Sequence, residues 1–484
     1  MNRPAEETPR LARVLTRALQ ALALVLGAST LVTAVHDVST TWDVWYYHLP
    51  FAARLWGIVP ESAFAFHPAN QARFEGFPLL AERLQGLFWW ITGKPEAANL
   101  VGLASLALFV AFLKRRFGVP LHLAVIGLMA IPLVQLHATS CYIDLPANVC
   151  ASILVLLVFE RLTRGGPLTD GTLLLFGLAA AGAANMRFQL HALVLLALLF
   201  PAARLLGDLR GPDARRARLR LALAVLALPV VFASPLQNLF VHHNPYYPMK
   251  LSALGITLPG TEEVYNASPP YLEHTPRVVR WLYSVLEIGI RPMEDTRRWT
   301  IDQWMPSAST GNRMGGFFHA YVVFHLLALG LRAVRSRDRH ARTAAGLFAA
   351  LSLFAALLPQ SHELRYYLYW MMVLVSLSLI LVSRPKARGR SGTTTLGLGC
   401  ATALAVVLWV TRAGYVYPSG STFPSLLKNN VDAGLLARIR EGSGACIARE
   451  PWNILYASSF HPPARYSLKE AERAEDCGDS RWLP

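Results

Sequence analysis

Two carboxylates and two arginines stand beside apolar segments, where charged side chains are costly. Asp43 lies in an aromatic-rich stretch (TTWDVWYYHLPFAARLWGI, 40–58), and Asp144 lies in the sequence YIDLP. Arg187 occupies a very short link between two apolar runs, and Arg365 begins another apolar run. An ionisable group at membrane depth is expensive, so each is a candidate for function. A carboxylate can take a proton from an attacking hydroxyl, and the planar fork of arginine matches phosphate oxygens.

Each of these side chains also has a purely structural explanation. Arg187 and Arg365 could snorkel to lipid phosphates. Asp144 could cap a helix that begins before Pro146, and Asp43 could cap the surface helix that follows it. The short link around Arg187 limits the reach of that side chain, which favours a functional role for it.

Further polar and aromatic side chains collect near the same helix ends. Tyrosine and tryptophan concentrate at membrane interfaces, so most of these rings are expected to be anchors. The paired His242 and His243 are more often loop residues than metal ligands, because their spacing defines no zinc site. Besides the two arginines, the candidates for substrate binding are Tyr47, His48, Glu75, Tyr142, Gln189, His243 and Tyr366.

The elements that must position these residues are apolar blocks of the length of membrane spans. Of the 484 residues, 54% are hydrophobic and 16% are charged, which is too apolar for a soluble globule. A span needs roughly 20 mainly apolar residues, and in lipid such a segment must be a helix. We predict about eleven spans, at about 17–36, 97–113, 119–137, 145–160, 171–186, 189–205, 220–238, 316–333, 343–358, 366–383 and 395–413.

The net charge of +16 is concentrated in alternate linkers. The basic linkers are the N-terminal lead, 114–116, 160–166, 204–220, 332–342 and 384–390, whereas the other linkers are nearly neutral overall. This alternation is the positive-inside bias of a membrane protein and argues against a nucleic-acid partner. It places the N-terminus in the cytoplasm, and an odd number of spans places the C-terminus outside. The candidate residues then all lie on the outer side.

Three segments are predicted to lie outside. The first loop, about 37–96, contains two amphipathic patterns rich in Trp and Tyr, which predict helices lying flat on the membrane. The second loop is 239–315, and the third segment is a small tail, 414–484, in which 445–459 is strand or turn. We therefore predict an all-α polytopic membrane domain over 1–413 and a small extracytoplasmic C-terminal region. Cys446 and Cys477 are the cysteines of the tail, and whether they are bridged is left open.

Four short motifs, by their order and common side, resemble those of GT-C-type integral-membrane glycosyltransferases, the superfamily of protein O-mannosyltransferases and aminoarabinose transferases. They are TTWDVWYYHLPFAARLWG in the first loop, YIDLP at 142–146, NPYYP at 244–248 and RYYLYW at 365–370. The resemblance covers about residues 15–385. One departure is that some relatives carry an adjacent Asp-Glu pair, whereas Asp43 is followed by Val44.

The resemblance implies that a sugar passes, with inversion, from a polyprenyl-phosphate donor to a glycan, lipid or protein acceptor on the outer face. It implies catalytic roles for Asp43 and Asp144, and it implies that Arg187 and Arg365 contact the donor phosphate. Relatives differ in their need for a divalent cation, so a cation is left open and no metal ligand is assigned. The Ala-, Leu- and Arg-rich composition indicates a bacterial inner-membrane protein with a periplasmic active site.

Two other functions fit the sequence. A flippase for a lipid-linked oligosaccharide would carry charges or broken helices at mid-membrane depth, whereas the charges here lie at the outer rim. A polysaccharide polymerase or ligase would suit the long outer loop at 239–315. Nucleotide-binding and zinc-enzyme motifs are absent from the sequence.

Overall fold

Each apolar block forms one helix or a bent pair of helices in the computed structural model, which describes residues 10–166, 168–253, 255–264, 270–289, 314–335, 338–384, 390–440 and 444–483. The α-helices are α1 (Arg10–His36), α2 (Leu49–Leu55), α3 (Pro68–Gly76), α4 (Leu80–Thr92), α5 (Leu100–Phe117), α6 (Leu121–Met129), α7 (Pro132–Ala138), α8 (Asp144–Arg164), α9 (Asp170–Met186), α10 (His191–Asp208), α11 (Ala214–Val231), α12 (Ala233–His242), α13 (Arg277–Val285), α14 (His319–Arg335), α15 (Arg339–Leu357), α16 (Leu368–Ser383), α17 (Arg390–Val410), α18 (Phe423–Asn430) and α19 (Ala433–Arg440). The strands are β1 (Phe64–Ala65), β2 (Met249–Ala253), β3 (Ile256–Leu258), β4 (Glu262–Glu263), β5 (Gly444–Ala448), β6 (Ser467–Ala471) and β7 (Arg481–Leu483). Residues 254, 265–269 and 290–313 of the predicted second loop lie outside the described residues.

Among the described residues, seven helical segments are long and apolar enough to cross a membrane, and they are built on α1, α5, α8, α10, α15, α16 and α17. Two bent pairs, α6–α7 at 101° and α11–α12 at 60°, raise the number to nine if each pair is one span. The two remaining predicted spans coincide with α9 and α14, which have 17 residues each. The described part of the chain thus has seven to nine candidate spans, and the total of eleven stays a prediction.

The bend between α6 and α7 has a local cause. Pro132 begins α7, and the residue before it, Ile131, has extended backbone with φ −88° and ψ 115°. A proline disfavours helical backbone in the residue that precedes it. The predicted span at 119–137 is therefore two short helices that change direction at this dipeptide.

The helix α16 lies at the centre of the bundle. All of its residues are buried, and it contacts α6, α8, α14, α15 and α17. A helix that is apolar on every side belongs in the interior of a bundle. Arg365 stands in the short 3₁₀ turn Leu364–Tyr367 that leads into α16, so the best-packed element of the fold holds this charged residue in place.

The predicted all-α class is wrong for the outer segments, which contain two small sheets. The tail strands β5, β6 and β7 form a parallel sheet in the order β1-β6-β5-β7, and its edge strand β1 comes from the first loop. Phe64 of β1 pairs with Leu468 of β6. The second loop forms a separate sheet in the order β3-β2-β4. Strands this short, some of them paired with residues far along the chain, leave no period-2 signal that the sequence could reveal.

The first loop and the tail also share one hydrophobic cluster, in which Trp45 and Phe64 of the loop pack with Ile447 of β5 and other tail residues. The disulfide that the sequence left open is present between Cys446 and Cys477, and it ties β5 to the turn before β7. One end of the helix bundle is therefore covered by a unit built from the first loop and the tail.

Candidate active site

One cavity of about 960 Å³ collects most of the predicted site residues. It lies where the first loop, the starts of α8 and α16, and the link between α9 and α10 meet. This volume is at the upper end of the range for ligand-binding pockets. The predicted residues that line it are Asp43, Tyr47, His48, Asp144, Arg187, Gln189, Arg365 and Tyr366.

Asp43 and Arg365 form a buried ion pair in the cavity wall. Nη1 of Arg365 donates to Oδ2 of Asp43 at 2.9 Å, and the two side chains are 7% and 5% exposed. Oε2 of Glu363 lies 3.6 Å from Nε of the same guanidinium. Buried charges require partners of opposite sign, so this pair holds the first loop against the start of α16.

Asp144 and Arg187 form a second buried ion pair. Nη1 of Arg187 lies 2.7 Å from Oδ1 of Asp144, and the side chains are 11% and 1% exposed. Asp144 is the first residue of α8, and the N-terminus of that helix has no side-chain cap. Because Arg187 points inward to a carboxylate, the explanation that it snorkels to lipid does not describe its position.

The ring of Tyr366 lies between the two arginines. Its centroid is 4.1 Å from Cζ of Arg187 and 5.0 Å from Cζ of Arg365, and Nη2 of Arg365 donates to its hydroxyl at 3.2 Å. The predicted residue Tyr142 lies behind the wall, with its ring 5.5 Å from Cζ of Arg365. Cations over aromatic faces are stabilised by the ring quadrupole, so the rings help to hold two like charges in one wall.

Asn148 joins the starts of α8 and α16. Its amide nitrogen donates to the carbonyl oxygens of Asp144 at 2.7 Å and Arg365 at 3.3 Å. Its amide oxygen accepts from the backbone N–H of Tyr369 at 2.9 Å. One fully buried side chain thus fixes the relative position of one residue from each ion pair.

The first loop presents its side chains through a single π-helical turn, Val44–His48. Such turns are rare and frequently occur at functional sites. Burial raises the pKa of Tyr47 well above the usual range of a tyrosine, so its hydroxyl is a neutral hydrogen-bonding group beside Asp43. Nδ1 of His48 lies 2.8 Å from Oε1 of Glu82 in α4.

The second loop and the tail complete the mouth of the cavity. Arg73 of α3 makes two hydrogen bonds to Glu262 of β4, at 2.5 and 2.8 Å. Arg449, which follows β5, lies with Cζ 4.9 Å from the ring centroid of Tyr46. These four residues all line the cavity, so the first loop, the second loop and the tail all contribute to one site.

Two predicted site residues lie elsewhere. Glu75 accepts a hydrogen bond from Gln71, one helical turn earlier in α3, at 2.8 Å. Glu75 lines a neighbouring cavity of about 680 Å³. Phe77 is the wall residue that the lining of this cavity shares with that of the first. His243 follows the end of α12 in left-handed backbone, with φ 56°, and is exposed. Gln189 does line the main cavity, and its amide donates to Gln360 at 3.1 Å.

The residues of the cavity do not fit a divalent cation. Asp43 and Asp144 are each paired with an arginine. In the described ranges, no group of three His, Cys, Asp or Glu side chains could hold a metal ion. A hard divalent cation needs several oxygen ligands around it. We therefore assign no metal ligand in this cavity.

Sequence reasoning missed several residues of the site. Asn148 stands one helical turn after Asp144, and that spacing was a usable signal. Glu82 gave a weaker signal, as an acid within an amphipathic pattern. Arg449 gave none, because it reaches the cavity only through the pairing of the tail with the first loop.

Comparison with known proteins places this architecture. No protein-family model matches the chain, and no curated protein matches it. The apo structure of ArnT from Cupriavidus metallidurans matches with a TM-score of 0.51 at 14% sequence identity, covering 96% of this chain and 87% of ArnT. The structure of the same ArnT bound to undecaprenyl phosphate matches with a TM-score of 0.51 at 13% identity and the same coverage. ArnT is an aminoarabinose transferase of the GT-C type, and the chain therefore shares the fold of this GT-C glycosyltransferase, which confirms the predicted resemblance at the level of the fold.

Proposed function

We propose that the protein transfers a sugar from a polyprenyl-phosphate donor to an acceptor on the extracytoplasmic face of the membrane. The observation that carries this proposal is the pair of aspartate–arginine contacts in the wall of one cavity. That wall offers both charges that the reaction uses, since cations bind a phosphate and a carboxylate takes a proton. The ArnT structure with bound undecaprenyl phosphate supports a donor of that chemical class.

The two arginines are proposed to bind the donor phosphate. A guanidinium presents several N–H donors, so it can keep its carboxylate partner while it donates to a phosphate oxygen. The shared ring of Tyr366 brings Arg187 and Arg365 to one place in the wall. As the bond between the sugar and the phosphate breaks, negative charge grows on the phosphate, and these cations stabilise it.

Asp43 is proposed to remove the proton of the acceptor hydroxyl as that oxygen attacks the anomeric carbon. Asp144 is proposed to hold Arg187 in place and to keep the site electrically balanced. The phosphate is a good leaving group, so the reaction needs no separate acid. The periplasmic side and the bacterial inner membrane remain part of this proposal, because they rest on the positive-inside bias of the linkers.

The proposal is tested with the full chain in lipid vesicles that contain radiolabelled polyprenyl-phosphate sugars. We expect label to leave the donor lipid, and we expect Asp43→Asn to abolish that transfer at a temperature at which the variant is inserted in the membrane and still folded, because loss of a buried charge partner lowers stability. The matched control is Asp213→Asn, because Asp213 is exposed and outside both cavities. Turnover near the wild-type rate in Asp43→Asn would remove Asp43 from the reaction.

A flippase is the second candidate, because the bends of α6–α7 and α11–α12 are the broken helices that a transporter would show. The same vesicles separate the two functions. A flippase moves the labelled lipid between leaflets and leaves the sugar–phosphate bond intact, whereas a transferase breaks that bond. Intact label that changes leaflet at a rate that depends on the protein would replace the enzyme proposal.

A further inference from the structure

A third buried acid–base pair, formed by His48 and Glu82, lies beside the proposed reaction centre. Nδ1 of His48 and Oε1 of Glu82 are 2.8 Å apart, and their side chains are 3% and 1% exposed. The other carboxylate oxygen of Glu82 is buried and has no hydrogen-bond partner among the described residues. Neither residue belongs to the two arginine pairs, so those pairs do not explain this contact.

The contact with Glu82 determines which nitrogen of His48 faces the cavity. A carboxylate only accepts hydrogen bonds, so Nδ1 carries the hydrogen in this contact. The tautomer with hydrogen on Nδ1 leaves Nε2 as a proton acceptor on the other side of the ring. His48 lines the cavity that Asp43 also lines. Its unprotonated nitrogen is therefore available to groups inside the cavity.

The π-helical turn brings His48 round to the face that carries Asp43. These residues are five positions apart, and hydrogen bonds in a π-turn run from residue i to i+5. In an ordinary α-helix, positions i and i+4 share a face, and position i+5 is turned away. The rare backbone form of this segment therefore lets an imidazole and the carboxylate both reach the wall of one cavity.

Asp43 needs a route by which it can lose a proton. Its Oδ2 is ion-paired with Arg365, and its side chain is 5% exposed. A protonated Asp43 would leave that guanidinium facing a neutral group inside the protein, which is an unfavourable arrangement. A second acceptor that takes the proton onward would restore the ion pair before the next turnover.

We propose that His48 is a proton relay that takes the acceptor's proton from Asp43 through Nε2, and that Glu82 is the positioning residue that orients the ring. This proposal rests on the proposed function. The acceptor O–H bond breaks and its proton goes to Asp43, while the oxygen bonds to the anomeric carbon. The sugar–phosphate bond breaks, and its electron pair leaves with the polyprenyl phosphate. The proton then passes to Nε2, where Glu82 balances the imidazolium charge, and it is finally lost to water.

The relay is tested with the full chain and the vesicle assay described above. We expect His48→Ala to lower kcat by roughly 100-fold, as is typical for the loss of proton transfer, with the KM for the donor unchanged. Free imidazole should restore turnover in a saturable manner, because the vacated space lies on the cavity. Imidazole should not restore the activity of Glu82→Gln, because in that variant the His48 ring still fills the space. Glu82→Asp keeps a carboxylate and should retain part of the activity.

The matched control is His274→Ala, because His274 is exposed and lies outside both cavities. Wild-type transfer with unchanged kcat in His48→Ala overturns the relay and leaves the proposed function in place. Loss of activity that imidazole does not restore, in a variant with normal thermal unfolding, makes the pair merely structural and also overturns the relay. If His48→Ala unfolds, the kcat of His48→Gln is compared with that of the wild type instead. Absence of transfer by the wild type overturns both proposals.

Discussion

At the scale of single residues, the cavity wall places Asp43 against Arg365 and Asp144 against Arg187, so loss of one partner leaves the charge of the other unbalanced. Burial makes this dependence strong. Removal of one member of a buried ion pair leaves an unsatisfied charge in a medium of low polarity, whereas removal of both leaves neutral groups. The pairs are therefore expected to influence stability as well as catalysis, and these two effects can be separated by mutation.

We expect Arg187→Gln to lower the free energy of unfolding by about 3–5 kcal/mol, because it leaves Asp144 buried and unpaired. The double variant Arg187→Gln with Asp144→Asn should recover most of that stability and none of the transfer activity. Thermal and denaturant unfolding in detergent measure the first effect, and the vesicle assay measures the second.

The control for this prediction is the pair of Arg220 and Asp170, which has the same 2.7 Å separation but side chains that are 25% and 84% exposed. Arg220→Gln should change stability by less than about 1 kcal/mol, since exposed ion pairs contribute little. Equal losses in the two arginine variants would contradict the claim that burial of the Asp144 pair matters.

At the scale of elements, the sequence predicts the helices well, whereas of the strands it indicates only β5, which overlaps the predicted strand or turn at 445–459. Apolar blocks report spans directly, because lipid requires a helix wherever such a block crosses. The bends of α6–α7 and α11–α12 could not be predicted from the sequence. A proline such as Pro132 does not by itself show whether a helix kinks or ends. The strand β1 has two residues, and its pairing with β6 depends on tertiary contacts that no local pattern records.

The strand β6 carries a carboxyl group that makes the tail sensitive to pH. Glu470 is 3% exposed, and burial raises its pKa from an ordinary 4.5 to about 7. The amide of Asn453 and the backbone N–H of His67 donate to it, at 3.0 and 3.3 Å, and these contacts and the nearby Arg449 oppose the shift. The folded tail therefore binds this proton more tightly than the unfolded chain does.

We expect the tail to be most stable below pH 4.5 as far as this group is concerned, and to lose that contribution as the pH rises to about 7. Over this window the native state holds more protons than the unfolded state, so stability falls with rising pH. A shift of this size corresponds to about 3 kcal/mol. Hydrogen exchange of the β5 and β6 amides in the whole protein measures it. Glu470→Gln should flatten the profile, and an unchanged slope in that variant would exclude Glu470 as its source.

At the scale of the whole molecule, one site is assembled from residues spread over nearly the entire chain. Sequence reasoning found Asp43, Asp144, Arg187 and Arg365, because charges beside apolar runs stand out. It placed Glu75 and His243 with them, because a position in an outer loop does not say which way a side chain points. Arg449 was missed, because the tail was treated as a separate region although it shares a sheet and a hydrophobic cluster with the first loop.

The disulfide should stabilise this shared outer unit. We expect the double variant Cys446→Ser with Cys477→Ser to lower the unfolding free energy of the tail by about 3–4 kcal/mol, the typical contribution of a bridge that closes a loop of this length. Transfer should then fail at temperatures at which the membrane helices remain folded, because Arg449 leaves the cavity with the tail and β1 loses its partner strand β6. Tryptophan fluorescence and activity, both followed against temperature, measure this.

Dithiothreitol should have the same effect on the wild type and no effect on the double serine variant. Among the described residues, the other cysteines are Cys141, Cys150 and Cys400, which are unpaired. A reductant effect of equal size in the double variant would assign the sensitivity to another part of the protein.

The pairing of Phe64 with Leu468 also fixes an order of events in biosynthesis. The ribosome synthesises β6 and Arg449 only after α17. The first loop is therefore made long before the strand with which it pairs. Any shortened or incompletely translocated copy lacks a finished pocket. We therefore expect the proposed transfer activity to begin only once the tail has folded against the first loop.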